Sequence, residues 1–159
     1  MRILVLSDCH GSHRTVEKAL DAHPDIKKVF YLGDGVSTVE EIQRFYPDRE
    51  FNIVSGNCDW HSSYPVYGET VIEGVRVIYT HGHRYNVKHG TERLYEAAQN
   101  AGASLALYGH THEARVEYRD GIYLVNPGAS NGAYNGSCYA VIDISKAGIM
   151  PSLMTADEN

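Results

Sequence analysis

Cysteine, basic surplus and long apolar runs are all scarce in this 159-residue chain. The three cysteines, Cys9, Cys58 and Cys138, are widely spaced and form no C-x-x-C pair. That excludes a disulfide framework and a Cys-rich zinc ribbon, and it fits a reducing compartment. Lys and Arg number 14 against 20 Asp and Glu, a formal net charge of -6. A protein that wraps a long nucleic acid binds by neutralising phosphates, so the charge balance argues against that class. No stretch approaches the ~20 apolar residues of a membrane span. The opening stretch from Met1 to Asp8 has one positive charge and a short apolar run that ends in a carboxylate. A secretory leader needs a longer apolar core and a small-residue cleavage site. The stretch is expected to be the buried first strand of a cytoplasmic protein. Internal repeats, low-complexity tracts and composition shifts are absent too, so one domain over 1–159 is expected.

Histidine and tyrosine are plentiful, at nine and twelve. Histidine is the commonest side-chain metal ligand, so the positions of the nine matter. Nine short runs rich in β-branched and aromatic residues predict strands at 2–7, 28–32, 51–54, 69–72, 76–80, 105–109, 114–119, 122–125 and 137–143. Glu73-Gly74 and Asp120-Gly121 sit at hairpin spacing between such runs. Apolar residues at helical spacing predict helices over 12–23, 37–46 and 91–100, the second with Val39, Ile42 and Phe45 on one face. Strand–helix alternation followed by a strand-rich half predicts a layered α/β fold.

Five strands in succession run into polar motifs beside glycine. They are Asp8-Cys9-His10-Gly11, Gly33-Asp34-Gly35, Gly56-Asn57-Cys58-Asp59, Thr80-His81-Gly82-His83 and Gly109-His110-Thr111-His112. In an extended chain, side chains at i and i+2 share a face, so Asp8 with His10, and His110 with His112, are expected to converge. Each piece alone is common in turns. The repetition is not, because carboxyl ends of strands are where α/β sheets gather ligands. Packing alone would not place that many carboxyl, amide and imidazole groups on one rim. Seven N and O donors suit Mn, Fe, Zn or Ni better than a structural zinc site, and are enough for two metals about 3.5–4 Å apart. No H-E-x-x-H helix, G-x-x-x-x-G-K-[ST] loop or H-x-H-x-D-H run competes with this pattern.

In these motifs the chain resembles the calcineurin-like metallophosphoesterases, in particular their small single-domain bacterial and archaeal phosphodiesterases. The family's ordered pattern, D-x-H, G-D, G-N-[HDC], H and G-H-x-H, runs here from residue 7 to about 130. Its G-N-C-D, H-G-H and N-P-G-[SA] variants fall at 56–59, 81–83 and 126–129. The resemblance implies an αββα sandwich of two mixed β-sheets flanked by helices, with a dinuclear metal site at the strand C-terminal rim. One metal would lie on Asp8, His10, Asp34 and His112, and the other on Asp34, Asn57, His81 and His110, with Asp34 bridging. It further implies hydrolysis of small phosphodiesters by a metal-bridging hydroxide, with Asn57, His81 and Asp34 in catalytic roles. Manganese is the expected metal, with Fe, Ni, Zn or Mg as alternatives.

The chain departs from the pattern at Cys58, where many members carry a histidine able to protonate the leaving group. Asp59 and His83 are candidates for that role. Trp60 and Tyr64 are candidates for an aromatic wall beside the substrate, and Arg84 and Lys88 for phosphate contacts. His13, His23, His61 and His89 are expected at the surface. Asn126-Pro127-Gly128 is expected to be a tight turn under the site. A homodimer is expected from chain size. The rival reading is a scaffold on the same fold, since the family includes a retromer subunit that works through its surfaces. Seven filled ligand positions favour catalysis.

Overall fold

In the computed structural model, which describes residues 1–131 and 138–156, ten strands form two five-stranded mixed sheets. The strands, in chain order, are β1 (Arg2–Leu6), β2 (Lys28–Tyr31), β3 (Glu50–Ile53), β4 (Tyr67–Ile72), β5 (Val75–Thr80), β6 (Leu105–Leu107), β7 (Arg115–Arg119), β8 (Ile122–Asn126), β9 (Cys138–Ser145) and β10 (Gly148–Thr155). The helices are α1 (His13–Ala22), α2 (Val36–Gln43) and α3 (Glu92–Ala101), and short 3-10 turns cover His83–Tyr85 and Val87–His89. The first sheet has the order β10-β9-β1-β2-β3 and the second β4-β5-β6-β8-β7.

The layering follows from strands that are apolar on both faces. On β1, Leu4 and Leu6 join a cluster with Val16, Leu20, Val39 and Ile42 of the helices, while Ile3 and Val5 join one with Val77, Leu105 and Leu107 of the second sheet. On β6 and just beyond it, Ala106 and Tyr108 turn the other way, to Leu94, Tyr95 and Ala98 of α3. Side chains alternate along a strand, so a strand with no polar face must be covered twice. The result is α1 and α2, first sheet, second sheet, α3: the expected αββα sandwich. Strands β1, β2 and β3 run parallel to one another, as do β5 and β6. All five motifs therefore leave carboxyl ends of strands.

Both hairpins form. Glu73 (φ 50) with Gly74 (φ 80), and Asp120 (φ 48) with Gly121 (φ 85), have the paired left-handed conformations of a tight two-residue turn. Three expectations are corrected. Strand β10 was not foreseen: it lies on the sheet edge, carries Pro151, and leaves Met150, Leu153 and Met154 exposed, so it has no buried alternation to detect. Phe45 does not face the core. Helix α2 ends at Gln43 and Phe45 is 79% exposed. His23 is half-buried rather than at the surface, its Nε2 3.1 Å from the Tyr139 hydroxyl. Residue 137, the expected start of the ninth strand, lies outside the described residues.

Candidate metal centre

The convergence of Asp8 with His10 has a different cause from strand alternation. β1 ends at Leu6, and both residues have left-handed backbones, with φ 55 and 44. Asp34 (φ 61), His110 (φ 71) and His112 (φ 63) do the same. The other described non-glycine residues with positive φ are Glu73, Asn86 and Asp120. Such a conformation costs a non-glycine residue about 1 kcal/mol or more and persists only where the surroundings over-determine it. Three of the five motifs, those of Asp8, Asp34 and His110, turn sharply in this way after their strands.

The surroundings that fix this backbone are specific. The Asp34 N–H donates to Asp59 Oδ2 at 2.7 Å, and the Tyr31 hydroxyl donates to the Asp34 carbonyl at 2.7 Å. Asp59 also accepts from the N–H groups of Gly35 (2.9 Å), Val36 (3.1 Å) and Gly56 (2.7 Å). Its carboxylate thus caps the start of α2 and leaves no free oxygen to face a leaving group. On the other side, Asn126 Nδ2 donates to the Gly109 carbonyl and to Thr111 Oγ1 at 3.0 and 2.9 Å, and holds the loop that carries His110. Asn126 is buried and braces the loop from beneath, with its Oδ1 accepting the Gly128 N–H at 2.9 Å. Two glycines are sterically required. A Cβ on Gly56 would fall on the Asp34 carboxylate, and one on Gly109 on Ser7 Oγ and the Asp8 carboxylate.

The seven residues singled out by the motifs meet at one place. Asp8, His10 and His112 form one group and Asp34, His81 and His110 another; within each, the offered N and O atoms lie within 4.8 Å of one another. His112 Nε2 is 3.2 Å from Asp8 Oδ1, and His10 Nε2 is 3.2 Å from His112 Nε2. His81 Nε2 is 3.4 Å from Asp34 Oδ2, 3.1 Å from His110 Nδ1 and 3.0 Å from Asn57 Oδ1. The two groups adjoin: His10 Nε2 is 3.9 Å from Asp34 Oδ2, and His81 Nε2 is 3.9 Å from Asp8 Oδ1.

Tautomers and charge follow from the partners. His81 Nδ1 donates to the Leu32 carbonyl at 2.6 Å, which aims the lone pair of Nε2 into the site. Burial alone would raise the Asp34 pKa, but the hydrogen bond and charge of His81 and the Cys58 N–H at 2.9 Å hold it well below the ordinary carboxylate range. Burial would lower His81, yet the carboxylates of Asp34 and Asp8 raise it. Asp8 raises His112. Burial, with the charges of His81 and Lys88, pushes His110 down to about 4.

Asp8 shows that these donors fit a cation. Its Oδ2 accepts from Ser7 Oγ at 2.5 Å and the His110 N–H at 3.0 Å. Its Oδ1 is buried and outside any well-formed hydrogen bond, with three imidazole nitrogens around it, His112 Nε2 at 3.2 Å, His10 Nε2 at 3.8 Å and His81 Nε2 at 3.9 Å. A divalent ion would satisfy that oxygen and those nitrogens together.

The sequence profile of the calcineurin-like phosphoesterase superfamily domain matches residues 1–147. The chain belongs to this superfamily. A probable metallophosphoesterase of Bacillus subtilis, YsnB, is 29% identical over 133 residues, covering 81% of this chain and 75% of the relative. Vacuolar protein sorting-associated protein 29 of Schizosaccharomyces pombe is 30% identical over 162 residues, covering 99% and 84%. Among solved structures, a conserved uncharacterised protein of Streptococcus pneumoniae, a predicted phosphoesterase, superposes with a TM-score of 0.84 at 27% identity, covering 99% and 91% of the two chains.

In this phosphoesterase the remaining candidates divide. His83 lies beside the centre, its ring centroid 5.4 Å from that of His81. Its buried Nδ1 has no partner among the described residues, and burial with the charge of His81 lowers its pKa. Cys58 is exposed at the rim; burial of its thiol and the Asp34 charge raise its pKa. Tyr64 packs against the core under α1 and α2, whereas Trp60 is 85% exposed. Asp59→Asn turns an NH2 group towards backbone donors. It is expected to lower stability by about 2 kcal/mol in urea unfolding and to weaken metal binding measured by calorimetry about tenfold. Unchanged binding would mean that Asp34 is held without Asp59.

Proposed function

We propose that this chain, as a single domain over 1–159, is a dinuclear metal-dependent phosphodiesterase acting on small phosphodiesters. The observation that carries the reading is the convergence of seven N and O donors around the buried carboxylates of Asp8 and Asp34. Asp8, His10, Asp34 and His112 would hold one metal, and Asp34, Asn57, His81 and His110 the other. Asp34 would serve both, because its Oδ2 lies 3.9 Å from His10 Nε2 and 3.4 Å from His81 Nε2. Divalent cations held there, with manganese expected, would supply positive charge to the phosphate oxygens and lower the pKa of water.

The rest is done by the chain. His81, locked by the Leu32 carbonyl, keeps its Nε2 aimed at the centre. The Asn57 side chain, exposed beside His81, offers an amide N–H to a phosphate oxygen as well as its carbonyl. Two clefts border the cluster, one lined by His110 and His112 and one starting at Cys58 beside Asn57, and they share no lining residue. One, of about 670 Å³, runs from His110 and His112 past Lys88 and Glu113, and the other runs from Cys58 past Asp59 to Trp60. A diester has two arms to place, a monoester one, which favours the diester.

The test is a metal-reconstituted screen of phosphate monoesters and diesters. Turnover of diesters with Mn is expected. Failure with Mn, Fe, Ni, Zn and Mg alike would favour a scaffold, as the similarity to vacuolar protein sorting-associated protein 29 allows. With no imidazole at position 58, a raised thiol pKa makes a poor proton donor. Rates are therefore expected to fall steeply as leaving-group pKa rises, and a flat dependence would mean that another acid acts.

A further inference from the structure

The cleft that starts at Cys58 has a volume of about 300 Å³ and two chemically different walls. One is the loop Cys58, Asp59, Trp60, His61 and Ser62; the other is the first two turns of α2, with Val36, Ser37 and Glu40. We propose that this cleft holds one arm of the phosphodiester, and that the arm is a nucleoside, its base stacked on Trp60 and its sugar hydroxyls on Ser37 and Glu40. The proposal rests on the phosphodiesterase reading above.

The position of Trp60 is built, not accidental. It is the only tryptophan of the chain and is 85% exposed. A ring of that size normally buries most of its surface. Yet the loop that carries it is tied down on both sides. Before it, the Asp59 carboxylate takes backbone N–H groups of Asp34, Gly35, Val36 and Gly56. After it, the Ser62 N–H donates to the Asp59 carbonyl at 3.2 Å and Ser55 Oγ donates to Ser62 Oγ at 2.6 Å. A chain so fixed could turn its tryptophan inward, as it does Tyr64. It presents the ring to the cleft instead.

The cleft adjoins the metal centre: Cys58 on its wall follows Asn57 in the chain, and the Cys58 N–H donates to Asp34 Oδ1 at 2.9 Å. Two residues span at most about 7 Å, so the backbone of Trp60 lies within that reach of Cys58. The polar wall selects the ligand further. Glu40 and Ser37 are exposed and accept hydrogen bonds from hydroxyl groups. The Glu40 carboxylate repels a second phosphate. Lys88, which would attract one, lines the other cleft. A neutral planar base joined to a hydroxylated sugar satisfies both walls, whereas an alkyl arm satisfies neither.

The single tryptophan makes the cleft its own reporter. Metal-loaded protein is titrated with AMP, ribose 5-phosphate and inorganic phosphate while tryptophan emission is followed. Saturable quenching by AMP alone is expected. In a second arm, KM is compared for the trifluoroethyl esters of a nucleoside 5′-phosphate and of methyl phosphate, which share a non-aromatic leaving group. The native enzyme is expected to favour the nucleoside ester about tenfold in KM. Trp60→Ala is expected to bring that ratio near one, and Trp60→Phe to restore most of it. No quenching by AMP, or a ratio that Trp60→Ala leaves intact, would overturn the nucleoside subsite. Turnover of the methyl ester without AMP quenching would sink the subsite and leave the phosphodiesterase standing. AMP quenching without turnover of either ester would sink the activity and leave the subsite.

Discussion

Asp34→Asn is expected to lower kcat/KM for any phosphodiester by about 10³-fold while the protein remains folded. The substitution is nearly isosteric, and asparagine tolerates the left-handed backbone (φ 61) that this position adopts. The Cys58 N–H will keep the amide oxygen at the place of Oδ1, because that N–H needs an acceptor. The NH2 group is then forced into the place of Oδ2, 3.4 Å from His81 Nε2 and 3.9 Å from His10 Nε2. A donor without charge then stands where the proposed pair of cations would share an anion. Circular dichroism should match the native protein, and metal analysis should show fewer than two ions per chain. Undiminished activity would remove the bridging role. Full loading with two metals but no activity would overturn the bridging role and assign Asp34 to chemistry instead.

Chelation is expected to abolish activity and to reverse the pH dependence of stability. Asp34 has a depressed pKa in the folded protein. It contributes stability that is present above the ordinary carboxylate value and is lost as pH falls through the depressed one. His81 and His112 are raised, chiefly by Asp34 and Asp8. Their contribution is complete below the ordinary histidine value, about 6.5, and is lost as pH rises through the raised values. His110, pushed down to about 4, stays neutral throughout this window. The metal-free protein therefore loses stability as pH rises from the ordinary histidine value through the raised ones, because two protons leave a cluster that contains two carboxylates. Metals take the place of those protons and bind more tightly once they are gone. The rise in Tm on adding Mn²⁺ should thus be larger at pH 8 than at pH 6, by roughly 5 °C or more. Scanning calorimetry at both pH values checks this; an equal rise would mean that metal binding displaces no proton from His81 or His112.

Much of the molecule was legible before folding was considered. Strands such as β1 and β2 are continuous apolar runs because both faces are covered, and that leaves an unambiguous trace. The two hairpins are spelled by Glu73-Gly74 and Asp120-Gly121. The five motifs announce themselves by following such strands in order. What escaped was of another kind. β10 is an edge strand with Pro151 and an exposed apolar set, so its pairing with β9 is invisible in its own residues. Left-handed turns, not extended chain, bring Asp8 to His10, and His110 and His112 go to different donor groups rather than to each other.

The sequence by itself determined which side chains would leave the ends of five strands, and that two apolar faces on each central strand would need covering. Only the tertiary structure decided what holds those side chains in place. Asp59 is 25 residues from the Asp34 N–H it accepts, Tyr31 is 22 residues from the Cys9 N–H its hydroxyl accepts, and Asn126 is 17 from the Gly109 carbonyl. Burial is periodic because the backbone is periodic, and so it writes itself into the order of residues. A hydrogen bond from one side chain to a distant peptide group has no period, and exists only once the chain has closed around it.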